Sequence, residues 1–264
     1  MNHLQSIILG MVQGITEFLP VSSSGHLALG RRLFGLSQVP LLYDILLHAA
    51  TLTVVLIVFR RRVLAILAGL FAWVRGRAGQ EELRQARLAG LILLATLVTA
   101  MLGIPLNKLD LEADPKIISG LFLVTAAVLV ASSRRPGARR LEAVRLKDAL
   151  LIGLAQGIGA LPGVSRSGAT ISAALATGMD RADAGEFSFL LSIPAVLGAL
   201  ALKLRDAGAL SEQVEPSVLA AGMAAAAITG FAALFLLLRL VRNGRLKYFA
   251  FYLVPLGLAG LVLL

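Results

Sequence analysis

GMVQGITEFLPVSSSGH, residues 10–26, sets a carboxylate, three consecutive serines and a histidine inside sequence that is otherwise apolar enough for a bilayer. Groups of this kind are costly at membrane depth unless a partner or a water-filled cavity offsets them, so their presence there marks a functional site. Pro20 lacks the N–H that would continue a helix, and the chain restarts after the serines. Two short helices joined by a polar turn predict a re-entrant element over residues 4–34. Such an element is tolerated only where it is buried in protein or lines a cavity.

The rest of the chain supplies the membrane. Of 264 residues, 58% are hydrophobic and only 15% charged, and the mean hydropathy is +0.85, values that exclude a water-soluble fold. Leucine, alanine and valine run at helix-forming density without the alternation of a membrane β-barrel, so the fold class is an all-α polytopic membrane protein. With no cysteine, thiol chemistry and disulfides drop out. The first apolar stretch is a poor signal peptide, because residues 1–5 carry no Lys or Arg and Gln13 and Glu17 interrupt the run.

A net charge of +10 invites a nucleic-acid reading, but the basic residues fall in clusters between apolar runs. Arg60 to Arg62, Arg75 to Arg87, Arg134 to Lys147 and Arg239 to Lys247 all lie where one side of the membrane would be, the positive-inside pattern. The segments 108–116 and 203–215 carry the acidic residues and read as outside loops. Residues 41–59 are long enough to span roughly 28 Å, and 63–74 reads as an interfacial helix. Crossings follow at 88–106 and 117–131. A second broken element covers 149–177 around Pro162-Gly163, and crossings at 187–202, 218–238 and 249–264 complete the chain. Six crossings and two re-entrant elements put both termini outside.

An internal repeat organises these elements. Shifted by 143 positions (13 to 156), Gln13, Gly14 and Ile15 match Gln156, Gly157 and Ile158; Val21, Ser22, Ser24 and Gly25 match Val164, Ser165, Ser167 and Gly168. Three crossings per half is an odd number, so the halves, residues 1–133 and 146–264, are expected to insert in opposite senses as an inverted-topology repeat with the two broken turns meeting at mid-membrane. Two helix starts would then converge with unsatisfied N–H groups that favour an anion. Arg166 adds a permanent cation whose fork suits phosphate oxygens. A phosphate-bearing lipid fits such a site best. Glu17, Ser23 and His26 contribute a base, a possible nucleophile and a proton donor, a set sufficient for phosphoryl hydrolysis. A divalent ion, magnesium or calcium, bridging Glu17 and the phosphate suits this chemistry, although no dense carboxylate cluster calls for one.

At these two stretches the sequence resembles the undecaprenyl-pyrophosphate phosphatase family of bacterial membranes, also called the bacitracin-resistance protein family. The resemblance rests on Gln13 to Glu17 running into Pro20 to His26, and on Pro162 to Thr170. It implies hydrolysis of undecaprenyl diphosphate to the monophosphate, which recycles the lipid carrier of cell-wall synthesis. It also implies a place in the bacterial cytoplasmic membrane with the active site open to the extracytoplasmic face. By the same resemblance Glu17 belongs to a metal- or nucleophile-activating motif, Ser23 is the candidate nucleophile, His26 a proton-transfer residue and Arg166 the phosphate clamp. Gln13, Ser22, Ser24, Gly163, Ser165, Ser167 and Thr170 are the candidate substrate contacts. Gln13 stands where other members carry a second carboxylate, which weakens a two-carboxylate metal site.

Plainer readings stand beside these. Serines cap broken helices without any catalysis, and for every serine here except Ser23 capping is the better reading. Glu17 or His26 could activate water directly, leaving Ser23 a ligand contact. His48 reads as a structural histidine and Asp44 as a helix-start carboxylate. A polyprenyl-phosphate translocase would need the clamp but no nucleophile, and other isoprenoid diphosphates would suit the same site. The partners expected are the diphosphate lipid and the bilayer, not a nucleic acid; the sequence gives no oligomeric state.

Overall fold

The computed structural model describes residues 1–36, 41–109, 111, 114–133, 137–207 and 215–264. Among them the chain is helical almost throughout, and the only β-pairing is a single bridge between Arg139 and Met179. Five helices are long and apolar enough to cross a membrane: α5 (Gln80–Asn107), α6 (Pro115–Ser133), α9 (Arg181–Ala207), α10 (Pro216–Arg242), and α11 (Ala250–Leu263) together with the 3₁₀ turn Leu246–Phe249 that precedes it. A sixth span is available from α3 (Leu41–Val58), which bends by 80° into α4 (Arg60–Val74). The surface is inverted relative to a soluble protein. Phe251 is 77% and Val262 82% exposed, whereas Gln13 and Ser119 are fully buried. That pattern is what lipid as solvent demands.

The four short helices are the broken elements. α1 (His3–Phe18) opens on a capping box, with Gln5 N–H donating to Asn2 Oδ1 and Asn2 N–H to Gln5 Oε1, both 2.9 Å. It ends because Leu19, held extended (ψ 142°) by the following proline, leaves the helical region. α2 (Ser23–Leu33) and α8 (Arg166–Ala176) start on equivalent caps: Ser22 Oγ accepts from Gly25 N–H and Ser165 Oγ from Gly168 N–H. α7 (Leu146–Ile158) stops four residues before Pro162. At 16, 11, 13 and 11 residues, none of the four reaches across a bilayer core of about 30 Å.

The expected segments are present with longer ends. α4 takes in the arginine triplet and begins immediately beyond the bend at Phe59, so the basic residues start the helix instead of preceding it. α5 begins at Gln80, not 88, because Glu81 and Glu82 favour its first turn. α9 starts at Arg181, where Asp180 Oδ1 accepts from Ala182 N–H at 2.9 Å. Residues 110, 112 and 113 of the connection expected at 108–116, residues 208–214 of that expected at 203–215, and Pro40 lie outside the described residues.

Packing is exchanged between the two parts of the chain. α1 lies against α10 and α7 against α5, while α6 packs on α11 and α3 on α9. Small residues make the first two crossings close. A methyl group added at Gly10 would come 2.9 Å from the carbonyl carbon of Gly222, and one at Gly14 2.8 Å from the backbone nitrogen of Gly230. On α7 a methyl at Gly153 would lie 2.9 Å from Ala95 Cα, and one at Gly157 2.7 Å from Leu102 Cβ. The same four-residue glycine spacing thus seats each broken element on a long helix from the other part of the chain.

Candidate active site

The end of α1 meets the start of α8. Glu17, in the last turn of α1, accepts from Ser23 Oγ at 2.6 Å and from Gln13 Nε2 at 3.1 Å, both on Oε2. Its other oxygen lies 3.7 Å from Nη1 of Arg166, the first residue of α8. Ser167 Oγ donates to the Phe18 carbonyl at 3.0 Å, which locks the two helix ends together. The result is a carboxylate with a hydroxyl on one side and a guanidinium on the other. A half-buried arginine this close to the carboxylate lowers the cost of keeping both charges out of water.

The two breaks are also bonded to each other. Gly163 N–H donates to Ser22 Oγ at 2.9 Å, and its carbonyl accepts from Thr125 Oγ1 at 2.9 Å, which also receives Ser165 N–H at 3.2 Å. Gly163 has φ +94°, and a methyl there would meet Leu121 Cβ at 2.7 Å, so only glycine fits. Ser22 itself holds φ +73°, a strained conformation for a side-chain-bearing residue. Ser24 touches Ser22 Oγ at 3.4 Å, and Ser165 touches Ser167 Oγ at 3.2 Å. Thr170 is bonded to the Arg166 and Ser167 carbonyls and to Ser188 Oγ. Most of the serine and threonine hydroxyls therefore hold the turns together, and Ser23 alone among them is committed to Glu17.

His26 is placed differently from the other expected site residues. Its Nδ1 donates to the Ser22 carbonyl at 2.7 Å, which leaves Nε2 to accept from Tyr252 Oη at 2.8 Å, and the two rings stack at 5.7 Å. The ring is thus engaged on α11, not with Glu17. His48, read from sequence as structural, comes instead to the carboxylate: its Nε2 lies 3.9 Å from Glu17 Oε2. A cavity with about 30 Å³ of water-accessible volume, enough for a water molecule or two, is lined by the polar side chains of Glu17, His48, Gln156, Arg166 and Thr170 and by the apolar Leu52, Val55, Phe189 and Val196. Gln156 and His48 are the site residues that sequence reasoning passed over. The signal for Gln156 was its repeat match to Gln13, and for His48 a lone imidazole in an apolar helix.

Among the described residues no three His, Asp or Glu side chains gather closely enough to hold a metal ion by themselves. Gln13 Oε1 is buried without a hydrogen-bond partner next to Glu17, so an amide oxygen and a carboxylate are available as two oxygen ligands.

The molecule at this point is defined as a polytopic helical membrane protein in which two broken helices bring a buried carboxylate, a serine hydroxyl and an arginine together. Its family follows from comparison with known proteins. The family described as bacitracin resistance protein BacA matches residues 6–259, and the chain belongs to it. An undecaprenyl-diphosphatase of Treponema denticola is 45% identical over 98% of this chain and 96% of its own length. Proteins of the same description from Carboxydothermus hydrogenoformans and Desulfatibacillum aliphaticivorans are 40% and 42% identical, covering 100% and 99% of this chain and 98% and 99% of their own lengths.

Proposed function

We propose that the chain hydrolyses undecaprenyl diphosphate to undecaprenyl phosphate and inorganic phosphate, the activity for which its full-length relatives are named. The observation that carries this reading is the 2.6 Å bond between Ser23 and Glu17 with Arg166 beside it. A hydroxyl bonded to a carboxylate, next to a cation and a helix start, is an activated nucleophile facing an anion site.

Arg166 turns from Glu17 to the diphosphate as substrate enters, and the unpaired N–H groups at the start of α8 add to the charge it supplies. Glu17 takes the Ser23 proton, and Oγ bonds to the terminal phosphorus. The bond from that phosphorus to the bridging oxygen breaks, its electron pair leaves with the lipid monophosphate, and that oxygen takes the proton from Glu17, which returns to its carboxylate form. Water then attacks the phosphoserine, giving phosphate and restoring Ser23, with Glu17 as base again. A magnesium or calcium ion would be held by Glu17 and Gln13 Oε1 together with phosphate oxygens, and would supply further charge neutralisation. His26 fixes the carbonyl of Ser22 and through it the turn that presents Ser23.

The two parts of the chain, 1–133 and 146–264, form an inverted repeat in a bacterial cytoplasmic membrane, with both termini and the site opening extracytoplasmic. Matching serine caps and the exchange of α1 onto α10 and α7 onto α5 support this.

The test is phosphate release from undecaprenyl diphosphate in detergent, where no two membrane sides exist. Wild-type protein should turn over, and Glu17→Ala and Arg166→Ala should lose activity by at least a hundredfold while remaining folded. No release by the wild type would favour a translocase, and wild-type rates in both variants would overturn the site assignment.

A further inference from the structure

Gln156 is 1% exposed, yet its Oε1 has no hydrogen-bond partner among the described residues. The orientation of its amide is set from behind. Nε2 donates at 3.1 Å to Thr99 Oγ1, and the single Thr99 hydroxyl proton is itself directed at two carbonyls, Ala95 at 2.8 Å and Gly153 at 3.0 Å. Thr99 can therefore only accept from Gln156, so the NH₂ must face α5 and the oxygen is the part of the amide left for the cavity that Gln156 lines. A buried acceptor without a donor from the protein is costly, and in native structures a water, an ion or a ligand completes it.

The donors in reach define that ligand. The charged or titratable groups lining the same cavity are Glu17 from α1, His48 from α3 and Arg166 from α8; α9 contributes Ser188 and Ser192, which are neutral. Beside a cation that draws in a tetrahedral oxyanion, an acceptor that cannot donate interacts favourably only with an oxyanion bearing a hydrogen. A fully deprotonated oxygen there would meet the lone pairs of the amide.

We infer that Gln156 is a specificity-determining substrate contact, accepting the hydrogen of a protonated phosphate oxygen and so selecting the hydrogen-bearing phosphoryl group over oxyanions that have none; Thr99 acts as its positioning residue. The inference rests on the phosphatase reading given above and adds what the second repeat contributes besides charge. Gln13 and Gln156 occupy equivalent places in the repeat, ahead of each break, but Gln13 is tied to Glu17 and Gln156 to a neutral hydroxyl on α5. The first amide thus serves the carboxylate and the second reads the substrate.

The test uses inorganic phosphate, which keeps a proton at neutral pH, and sulfate, which does not. Each is titrated calorimetrically into the detergent-purified full chain at matched ionic strength. The wild type should prefer phosphate, and Gln156→Met, similar in size but without the amide acceptor, should reduce that preference by about tenfold or more, as expected for a hydrogen bond to a charged group. Thr99→Val frees the amide to turn its NH₂ inward and should raise sulfate affinity, a gain that loss of structure would not produce; Thr99→Ser should keep the wild-type preference. No phosphate preference in the wild type, or an unchanged one in both Gln156→Met and Thr99→Val, overturns the inference. Lipid-diphosphate turnover is measured on the same samples, so that an inactive wild type counts against the phosphatase reading and an active one with unchanged anion preference against Gln156 alone.

Discussion

Ser22→Ala should loosen the joint between the two broken turns, and its size can be worked from the bonds at that hydroxyl. Ser22 Oγ accepts from Gly163 N–H at 2.9 Å and from Gly25 N–H at 3.4 Å. Removing it strands a buried Gly163 donor, costing about 1–3 kcal/mol, and a long helix cap worth about 0.5 kcal/mol. Together these give about 1.5–3.5 kcal/mol, or a fall in melting temperature of roughly 3–14 °C for a chain of this size. Ser22→Gly loses the same two bonds but relieves the φ of +73°, which returns about 1 kcal/mol. Alanine should therefore be the worse of the two substitutions, the reverse of the usual order inside regular structure. Thermal unfolding in detergent, followed by circular dichroism on the wild type and both variants, reads this directly. If Ser22→Ala unfolds at the wild-type temperature, or if Ser22→Gly is the less stable, the bonded seam between the turns is not what holds them.

Three further outcomes follow from the geometry. Tyr252→Phe and His26→Ala should lower turnover together if His26 acts by holding the serine turn between Ser22 and α11; a fully active Tyr252→Phe beside an inactive His26→Ala would return the imidazole to proton transfer. Chelation with EDTA should lower turnover and added magnesium or calcium restore it, with Gln13→Ala shifting half-restoration to higher metal; activity indifferent to chelator removes the metal from the site. Gly157→Leu, which drives a side chain into α5 at Leu102 and Thr99, should destabilise by several kcal/mol, whereas Gly90→Leu, where a methyl meets nothing within 4 Å, should leave the melting temperature within a degree or two; equal melting of the two would contradict the close α5–α7 crossing.

Much of this architecture was legible because the signals were local. Pro20 and Pro162 each end a helix by chemistry that acts within four residues, and the serine after each break caps the next helix within three, so both broken elements could be located from sequence. Intramembrane carboxylate and arginine were equally readable, since nothing in a bilayer tolerates them without purpose. The pairings that depend on distant crossings were not. His26 finds Tyr252 across 226 positions and His48 reaches Glu17 from a different helix, so neither imidazole could be assigned by spacing. Helix ends beyond the apolar core, such as the first two turns of α5, were missed for a simpler reason: hydropathy marks the membrane, and polar turns continue past it.

The exchange of α1 onto α10 bears on how the chain is made. α1 ends at residue 18 and the helix that covers its glycine face begins at residue 216, so α1 leaves the ribosome with its receptor still unmade. At synthesis rates of about 5–20 residues per second that interval lasts roughly 10–40 s. Gln13 and Glu17 lack Arg166 for most of that interval and α10 for all of it, and a 16-residue helix cannot satisfy them by spanning. The first element must therefore wait at the membrane surface and be drawn inward only when α10 arrives. A nascent chain stalled before residue 216 should leave that element open to proteolysis, and one released after residue 242 should protect it.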